Sequence, residues 1–474
     1  MSSLKFGTSG VRGLVTELVG VPAYSYARAF CAMIIEDGAA GTERRVLIGR
    51  DLRSSSLEIS YNCAQAVADA GLVPSDAGEV PTPALALAAK MMGAPAIMVT
   101  GSHIPDDRNG LKFYRSLGEI DKADEARIAT LQTRLASSCV TTNSVKPATV
   151  NVLSKYYERY LSFFEPNILH GLTIGVYEHS TVGRDVLLEL IDLLGADAVP
   201  LGRSHRFIPV DTEALRAEDV TLVRGWAADR EYDAIVSADG DADRPLIADE
   251  KGSFLRGDLV GALTAFFLEA DAIVTPVTSN STLERSDRYG RVLRTKVGSP
   301  FVIAGIEEAQ SDGAHTIVGF EANGGTLVGS DIDRNGRRLS ALPTRDAVLP
   351  ILAVLALMNK TRKPLSAIVV EQRFAVARSN RLQSIPSEIS SAFIAKLADH
   401  ASRSSKIAFL GHGGIASRDQ RDGLRLTLAD GLIVHFRASG NAPELRIYTE
   451  ADGVEAADAL LQEGIQFAKT EMAV

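Results

Sequence analysis

Apolar and polar positions follow two different spacings in the first part of the chain. Short apolar runs of strand length occur at residues 45–51 and 94–100, and longer stretches with helical spacing occur at residues 54–71 and 124–138. Within residues 54–71, Ser55 and Glu58 have the spacing of a capping box, and a glycine stands where the helix would stop. Strands that alternate with helices favour a largely parallel sheet, so this part is predicted to be an α/β domain.

The same alternation returns twice more along the chain. The second segment is predicted to contain helices at residues 154–164 and 183–195 and strands at residues 172–177 and 232–238. The third is predicted to contain helices at residues 259–270 and 344–360 and strands at residues 272–278 and 315–321. Polar, turn-rich stretches separate these segments, at residues 137–147, 249–258 and 361–364.

The last segment has a different pattern. Residues 422–451 alternate apolar and polar positions with period two and contain Asp-Gly turns, and residues 453–470 then show helical spacing. This order predicts a small α+β domain. The chain is therefore predicted to have four domains, at residues 1–146, 147–250, 251–362 and 363–474.

Composition narrows the class of protein. The chain has 474 residues, 46% of them hydrophobic and 23% charged, which is ordinary for a soluble globular protein. We find no run of 18 apolar residues and no secretory signal at the N-terminus, so no membrane association is expected. Three scattered cysteines favour neither a disulfide framework nor a thiolate metal site. We therefore expect a cytoplasmic protein.

Charge narrows the class of partner. The formal net charge of −9 argues against nucleic acid, because binding to a phosphate backbone needs a basic surface. It leaves room for a small anionic ligand, which a local cluster of Arg, Lys and backbone N–H groups can bind inside an acidic protein. No obligate protein partner is evident from the sequence.

Ser102 lies in the first stretch with candidate chemistry, the sequence TGSHIPDDRNGLK at residues 100–112. It follows an apolar strand, at the position where α/β proteins bind ligands. The serine could simply cap a turn. An esterase nucleophile needs G-x-S-x-G, which is absent here. Ser102 could instead accept a phosphoryl group, with His103 and Lys112 handling protons and charge.

Asp239, Asp241 and Asp243 form the second candidate site. Carboxylates this close repel one another unless a cation lies among them, and oxygen ligands favour Mg²⁺ or Ca²⁺. A calcium EF-hand loop is disfavoured, because Arg244 stands where that loop needs glycine and the flanking residues look like strands. A solvated acidic turn is the remaining alternative.

Three further stretches could bind an anion or a sugar. Arg437, Ser439, Gly440 and Asn441 lie in one turn, RASGNAP, and could bind a phosphate dianion, although hairpin turns often look similar. The loop GFEANGG offers Glu321 and Asn323 to sugar hydroxyls, although glycines alone could explain it. Arg12, in FGTSGVRG, would add positive charge. No dinucleotide or ATP loop occurs in the expected strand-to-helix context, so neither cofactor is expected.

These stretches, in this order, resemble the signature loops of the α-D-phosphohexomutase family, and most closely its bacterial phosphomannomutase/phosphoglucomutase branch. The resemblance spans nearly the whole chain, from Phe6 to about Glu450. It implies an α/β fold in which three related domains with mixed, mostly parallel sheets and a small C-terminal α+β domain surround a central active-site cleft. It also implies an isomerase that interconverts hexose 1-phosphate and hexose 6-phosphate, of mannose or glucose, through a hexose 1,6-bisphosphate.

The resemblance implies a role for each candidate residue. Ser102 would be the phosphoserine, and its phosphate would join the three aspartates as a ligand of one Mg²⁺. Arg12, His103 and Lys112 would surround the transferring group, with Arg244 beside the metal loop. Glu321 would contact sugar hydroxyls, with Asn323 in the same loop. The non-reacting phosphate would be held by four residues, Arg437, Ser439, Gly440 and Asn441. The expected activator is a hexose 1,6-bisphosphate that phosphorylates Ser102.

Some positions depart from the family pattern. The sugar loop usually reads Gly-Glu-x-Ser-Gly-His, but Asn323 replaces its serine and Gly325 its histidine. Ser299 stands where a histidine is often found, and Asn441 where threonine is common. These departures leave the choice of sugar open. Phosphoglucosamine mutase is therefore an alternative, a metal-dependent sugar phosphatase is a more distant one, and a non-catalytic sugar-phosphate-binding protein is disfavoured because the serine and aspartates are intact.

Overall fold

The computed structural model of the chain describes residues 3–7, 10–135, 145–286, 288–403, 412–439 and 443–472, except the side chains of residues 400–403. Four main sheets follow one another along this part of the chain. Three of them each combine a parallel block with antiparallel strands at one edge, and the fourth is antiparallel throughout.

The first sheet has eight strands in the order β1-β2-β6-β5-β3-β4-β8, with β7 paired to β6. Its strands are β1 Lys5–Phe6, β2 Val11–Leu14, β3 Arg45–Arg50, β4 Val73–Glu79, β5 Ala96–Val99, β6 Arg108–Arg115, β7 Gly118–Glu119 and β8 Ala148–Thr149. The helices of this segment are α1 Val15–Leu18, α2 Val21–Glu36, α3 Ser56–Asp69, α4 Thr82–Met92 and α5 Lys122–Leu135. Both predicted helices and both predicted strands are confirmed.

The second sheet has the order β10-β9-β11-β12. Its strands are β9 Thr173–Tyr177, β10 Asp197–Leu201, β11 Ala234–Ala238 and β12 Pro245–Ala248, and its helices are α6 Leu153–Phe163, α7 Arg184–Leu193 and α8 Ala217–Asp229. Strands β11 and β12 run antiparallel on either side of the tight turn at residues 239–244. That turn, called the acidic loop below, carries Asp239, Asp241 and Asp243.

The third sheet has the order β14-β13-β15-β16-β19, with a separate hairpin of β17 and β18. The strands are β13 Ala272–Pro276, β14 Arg291–Thr295, β15 Ile317–Phe320, β16 Thr326–Val328, β17 Ile332–Arg334, β18 Arg337–Leu339 and β19 Leu342–Asp346. The helices are α9 Gly257–Phe267, α10 Thr282–Arg285, α11 Ser299–Ser311 and α12 Val348–Thr361.

The fourth, or tail, sheet has the order β20-β24-β23-β22-β21. Its strands are β20 Val376–Gln383, β21 Ile415–Asp419, β22 Leu424–Leu428, β23 Ile433–Ala438 and β24 Glu444–Ala451. The segment's helices are α13 Leu365–Gln372, α14 Ser387–Arg403 and α15 Val454–Met472. The predicted α+β character of this segment is confirmed, while the predicted domain boundaries stay predictions.

Two local predictions were wrong. Residues 344–346 belong to strand β19 and not to the long helix, which begins only at Val348. Ser55 precedes α3 but makes no capping hydrogen bond with its side chain. Its hydroxyl accepts a hydrogen bond from Asn109 Nδ2 at 2.9 Å instead, so a neighbouring strand satisfies it.

The apolar core is continuous across the first three sheets. One cluster of buried side chains includes Leu47 of the first sheet, Val236 of the second and Phe320 of the third. The tail sheet has its own cluster, which includes Phe436 and Ile447. Cys31 and Cys63 are buried free thiols. Within the described residues, every helix is too short or too polar to cross a membrane.

Candidate active site

Ser102 is held in an unusual backbone conformation. It is fully buried and has a φ of 56°, in the left-handed region that non-glycine residues seldom adopt. Its N–H donates to Thr100 Oγ1 at 2.8 Å, and the Thr100 hydroxyl in turn donates to Asp51 at 2.7 Å. These bonds offset the strain and fix where the Ser102 hydroxyl points.

Arg53 fixes the backbone of the serine loop, residues 100–107. Its guanidinium donates to four backbone carbonyls in and beside that loop, those of Ser102, Ile104, Pro105 and Arg108. It is buried, pairs with Asp51 at 3.1 Å and lies 3.9 Å from the centre of the Phe207 ring. The sequence analysis missed Arg53. The available signal was a charged pair, Asp51 and Arg53, directly after a buried strand.

The acidic loop meets the serine loop directly. Ser102 Oγ donates to Asp239 Oδ2 at 2.6 Å, across 137 positions of sequence. The other oxygen of Asp239 accepts the N–H groups of Asp243 and Arg244, each at 3.1 Å, which closes the acidic loop on itself. The structure therefore brings the predicted nucleophile and the predicted metal site together.

Each of the other two aspartates is held through one oxygen. Asp241 Oδ2 accepts the Thr82 hydroxyl at 2.5 Å and Lys112 Nζ at 2.6 Å. Asp243 Oδ2 accepts Lys112 Nζ at 2.6 Å and Arg345 Nη2 at 2.9 Å. The remaining oxygens of both residues are buried and accept no hydrogen bond within the described part of the chain.

The three aspartates fit a divalent cation. One carboxylate oxygen of each can lie within 4.8 Å of the others, and all three side chains are buried. Burial, together with the negative charges of Asp241 and Asp243, raises the pKa of Asp239 well above its ordinary value. Burial would also raise the pKa of Asp243, but Arg345, Lys112 and Arg244 outweigh it and lower that pKa. The group could therefore bind a metal ion through oxygen ligands.

His103 and Arg244 lie beside the Ser102 hydroxyl, and Arg12 belongs to the same group of charges. Arg244 Nη1 lies 2.9 Å from His103 Nδ1, which in turn lies 3.3 Å from Ser102 Oγ. Burial, then the charges of Arg244 and Arg12, lower the pKa of His103 well below its usual value, so the imidazole is neutral. Burial, with Arg244 and Arg345, lowers the pKa of Arg12 to about 10. Arg12 therefore lies near the same group of charges.

Glu321 reaches the site through a second buried arginine. Arg345 Nη1 donates to Glu321 Oε2 at 3.1 Å, and the same guanidinium donates to Asp243. Gly325 makes room for it, because a Cβ at that position would lie 2.7 Å from Arg345 Cδ. The side chain of Arg345 thus fills the space next to Gly325. The sequence analysis missed Arg345, since it lay in a stretch assigned to a helix.

Asn323 and Ser299 have structural partners. Asn323 Oδ1 accepts the N–H of Gly325 at 2.9 Å, which shapes the turn of the glycine-rich loop, and its carbonyl accepts the Thr212 hydroxyl at 3.0 Å. Ser299 is fully buried and donates to Glu119 Oε2 at 2.9 Å. Ser299 therefore ties the first sheet to the third.

Arg437 and Ser439 lie on and beside β23 of the tail sheet. Arg437 Nε donates to Asp422 at 2.8 Å, and Asp422 also accepts the N–H of Val297 from the third segment at 2.9 Å. Gly440 and Asn441 lie outside the described residues.

Comparisons with known proteins give one consistent picture. Residues 3–137 match the family model of phosphoglucomutase/phosphomannomutase α/β/α domain I, residues 256–374 match domain III, and residues 372–465 match the C-terminal domain. The chain is 48% identical over 472 residues to a phosphomannomutase of Sinorhizobium fredii, covering 99% of each chain. It is 42% identical to a phosphomannomutase of Salmonella muenchen, covering 99% of this chain and 97% of the relative.

A solved structure shows the same fold. The crystal structure of a phosphoglucomutase/phosphomannomutase family protein from Burkholderia thailandensis superposes with a TM-score of 0.76, covers 98% of this chain and 97% of its own, and is 23% identical. That similarity supports the arrangement of three mixed sheets and a tail sheet described above.

Proposed function

This chain belongs to the phosphoglucomutase/phosphomannomutase family of α-D-phosphohexomutases and is a hexose phosphate mutase, an isomerase, and on that premise we propose that it interconverts mannose 1-phosphate and mannose 6-phosphate through phospho-Ser102. The observation that carries the proposal is the hydrogen bond of 2.6 Å that Ser102 Oγ donates to Asp239 Oδ2, inside a cluster of buried carboxylates and cations. The choice of mannose is supported by the names of the relatives at 48% and 42% identity.

The proposed reaction consists of two phosphoryl transfers, which move two different phosphates. A sugar hydroxyl attacks the phosphorus of phospho-Ser102, its bond to phosphorus forms as the Ser102 Oγ–P bond breaks, and a hexose 1,6-bisphosphate results. The intermediate then reorients, and Ser102 takes back the phosphate from the other end of the sugar. A free hexose 1,6-bisphosphate would start the cycle by phosphorylating Ser102.

Charge neutralisation and positioning do most of the work in such a transfer. We assign Asp239, Asp241 and Asp243, with the Ser102 phosphate, as the residues that hold one Mg²⁺. That ion would neutralise charge on the transferring group. Lys112, Arg244 and Arg12 add positive charge around the same oxygens. His103, whose pKa is lowered well below its usual value, is placed among the groups that assist proton transfer.

Binding of the sugar is divided between two sheets in this proposal. Glu321, held by Arg345, accepts hydrogen bonds from sugar hydroxyls, with Asn323 shaping the same loop. Arg437 and Ser439, with Gly440 and Asn441, bind the phosphate that does not react. Such a site serves either orientation of the sugar, because it recognises a dianion and not a particular hydroxyl.

Exposure to glucose 1,6-bisphosphate tests the proposal. The intact protein should gain one phosphate, located by peptide mass spectrometry on Ser102, and should then convert mannose 6-phosphate. Ser102→Ala should gain none and lose nearly all mutase activity. Ser60→Ala, which removes another buried hydroxyl, one that donates to the Leu57 carbonyl, should keep both properties. A fully active Ser102→Ala enzyme, or a phosphate on another residue, would refute the mechanism.

A further inference from the structure

Asp346, the last residue of β19, places a buried carboxylate beside the candidate site. Tyr156 Oη donates to its Oδ1 at 2.8 Å, and the Tyr160 hydroxyl donates to its Oδ2. The N–H of Val348 also donates to Oδ1, at 2.8 Å. Both tyrosines lie on α6 of the second segment, and Val348 begins α12. One side chain therefore joins two helices to the end of β19.

The two residues that flank Asp346 both hold the acidic loop. Arg345 donates to Asp243 Oδ2, through Nε at 3.1 Å and through Nη2 at 2.9 Å. The N–H of Ala347 donates to the carbonyl of Ala242 at 3.3 Å. Successive side chains of a strand point to opposite faces, so the Asp346 carboxylate turns toward α6 while Arg345 turns toward the acidic loop.

The acidic loop needs such support because part of its backbone is strained. Ala242 lies between Asp241 and Asp243 and has a φ of 56°, in the left-handed region that residues with a side chain seldom adopt. Its methyl group packs in a small apolar cluster with that of Ala347. A strained conformation persists only when its surroundings fix it. The position of residues 345–347 therefore helps to determine where the Asp241 and Asp243 carboxylates lie.

The tyrosine pair holds Asp346 more firmly than packing alone would. Both tyrosines are fully buried, and their rings meet edge to face with centroids 5.1 Å apart. Burial raises the pKa of Asp346, because a charged carboxylate is costly away from water. The two hydroxyls offset part of that cost, and their directional bonds fix the carboxylate. Arg159 of the same helix donates to the Ser340 carbonyl at 2.7 Å, just before β19, so α6 holds this strand at both ends.

We propose that Asp346 is a positioning residue for the metal site: held by the tyrosine pair of α6, it fixes the end of β19 so that the acidic loop keeps the shape that binds a divalent cation. The inference rests on the proposed function, in which the three aspartates of the acidic loop hold the metal. It gives a role in metal affinity to a carboxylate that acts through its neighbours on the strand and not as a ligand.

Titration of the full-length protein with Mn²⁺ tests this, because carboxylate sites for Mg²⁺ also accept Mn²⁺ and the free ion is measured by electron paramagnetic resonance. In Asp346→Ala the Kd for Mn²⁺ should rise about 10-fold, the lower end of the effect of residues that orient metal ligands. Asp346→Asn keeps one acceptor oxygen, so its Kd should lie between those of Asp346→Ala and the wild type.

The matched control is Asp219→Ala. Asp219 is also buried, lies on α8 of the same segment and accepts the Tyr177 hydroxyl at 2.9 Å. Loss of either carboxylate should lower the thermal midpoint, because a buried hydroxyl loses its acceptor. The Kd of Asp219→Ala for Mn²⁺ should nevertheless stay within about twofold of the wild type, since sites that share no partner hardly couple. A merely structural role for Asp346 would give both variants the same Kd.

A second variant keeps the proposal testable if loss of Asp346 prevents folding. Tyr156→Phe combined with Tyr160→Phe leaves the carboxylate in place and removes both hydroxyls, so its Kd should rise by more than that of the control. If the wild type binds Mn²⁺ and either the folded Asp346→Ala or this double variant binds it equally well, the inference is wrong while the proposed function stands. A wild type that binds no Mn²⁺, with or without prior exposure to glucose 1,6-bisphosphate, would overturn the metal assignment of the proposed function and this inference with it.

Discussion

Two buried arginines organise the candidate site at the scale of single residues. The Arg53 guanidinium donates to backbone carbonyls of the serine loop, whereas the Arg345 guanidinium donates to carboxylates from two different segments. A buried guanidinium costs desolvation energy, which is offset only when its donors are all well placed. Arg345 satisfies this with Asp243 and Glu321, so it couples the acidic loop to the glycine-rich loop that carries Glu321.

Arg345→Lys should lower kcat/KM for mannose 1-phosphate about 10- to 100-fold. Lysine keeps the charge but has no planar fork, so it cannot hold Asp243 and Glu321 together. The loss corresponds to about 1.4–2.8 kcal/mol of transition-state stabilisation. Because Glu321 would be released, the ratio of kcat/KM values for mannose and glucose phosphates should also change, and coupled assays with both sugars measure it.

Arg337→Lys is the matched control for that variant. Arg337 lies on the exposed hairpin strand β18 and donates to the Ser162 carbonyl, remote from the carboxylates. Its kcat/KM should stay within about twofold of the wild-type value, as for most surface substitutions. Equal rates and equal sugar preference in Arg345→Lys would show that Arg345 only supports the fold.

The residues that sequence analysis found are those with local signals. Ser102 follows a strand, and the three aspartates alternate within five positions, so short stretches of sequence revealed both. Arg345 could not be found that way, and the local pair of Asp51 and Arg53 gave no sign of the carbonyls that Arg53 contacts, because these partners are distant in sequence. Arg53 bonds residues 49 to 55 positions away, and Arg345 bonds Asp243 across 102 positions. Only the packing of separate segments brings these groups together.

Close contact between two loops is the feature that matters at the scale of elements. Gly240 lies in the acidic loop between Asp239 and Asp241. A Cβ there would lie 2.7 Å from the backbone oxygen of Ser102 and 3.0 Å from the Phe207 ring. A backbone oxygen cannot rotate away as a side chain can, so the loops must separate to accept any larger residue.

Gly240→Ala should therefore reduce kcat at least about tenfold while mannose 6-phosphate still binds. Misplacing reacting groups by a fraction of an ångström or more weakens a transfer that depends on alignment. Steady-state kinetics separate the two effects, since the change should fall on kcat more than on KM.

The control is Gly225→Ala in helix α8, where a Cβ would meet nothing within 4 Å. That change should leave kcat unchanged and slightly raise the thermal midpoint, because alanine favours a helix by up to about 1 kcal/mol over glycine. A Gly240→Ala enzyme with the wild-type kcat would mean that the serine loop and the acidic loop can separate without loss of activity.

Elements with strong periodicity were predictable, and those defined by their neighbours were not. The spacing of apolar residues located α3 and α7, whose buried faces set the period. Strand β19 was not predicted because it directly precedes a nearly all-apolar helix and was assigned to it. Only its pairing with β16 makes it a strand. The capping box failed at Ser55 for the same reason, since Asn109 of β6 supplies the partner.

At the scale of the whole molecule, the tail sheet differs from the other three sheets in its apolar core. One cluster joins the first three sheets, and the tail sheet has a separate one. The contacts between the tail and the third segment include polar ones, such as Ser281 N–H with Glu450 and Val297 N–H with Asp422. Polar contacts at an interface contribute less to cooperativity than a shared apolar core, so we expect the tail to unfold as a unit of its own.

The chain's single tryptophan makes this testable. Trp226 packs 5.2 Å from the Tyr177 ring in the second segment, so its fluorescence follows unfolding of that segment. Phe436→Ala, in the tail core, should lower the free energy of unfolding of the tail by about 3–5 kcal/mol. Part of the urea transition seen by circular dichroism should then move to a lower urea concentration, while the midpoint of the tryptophan transition stays in place. Phe320→Ala is its counterpart in the larger core and should shift the tryptophan midpoint. Equal shifts of that midpoint in both variants would mean that the four sheets unfold together.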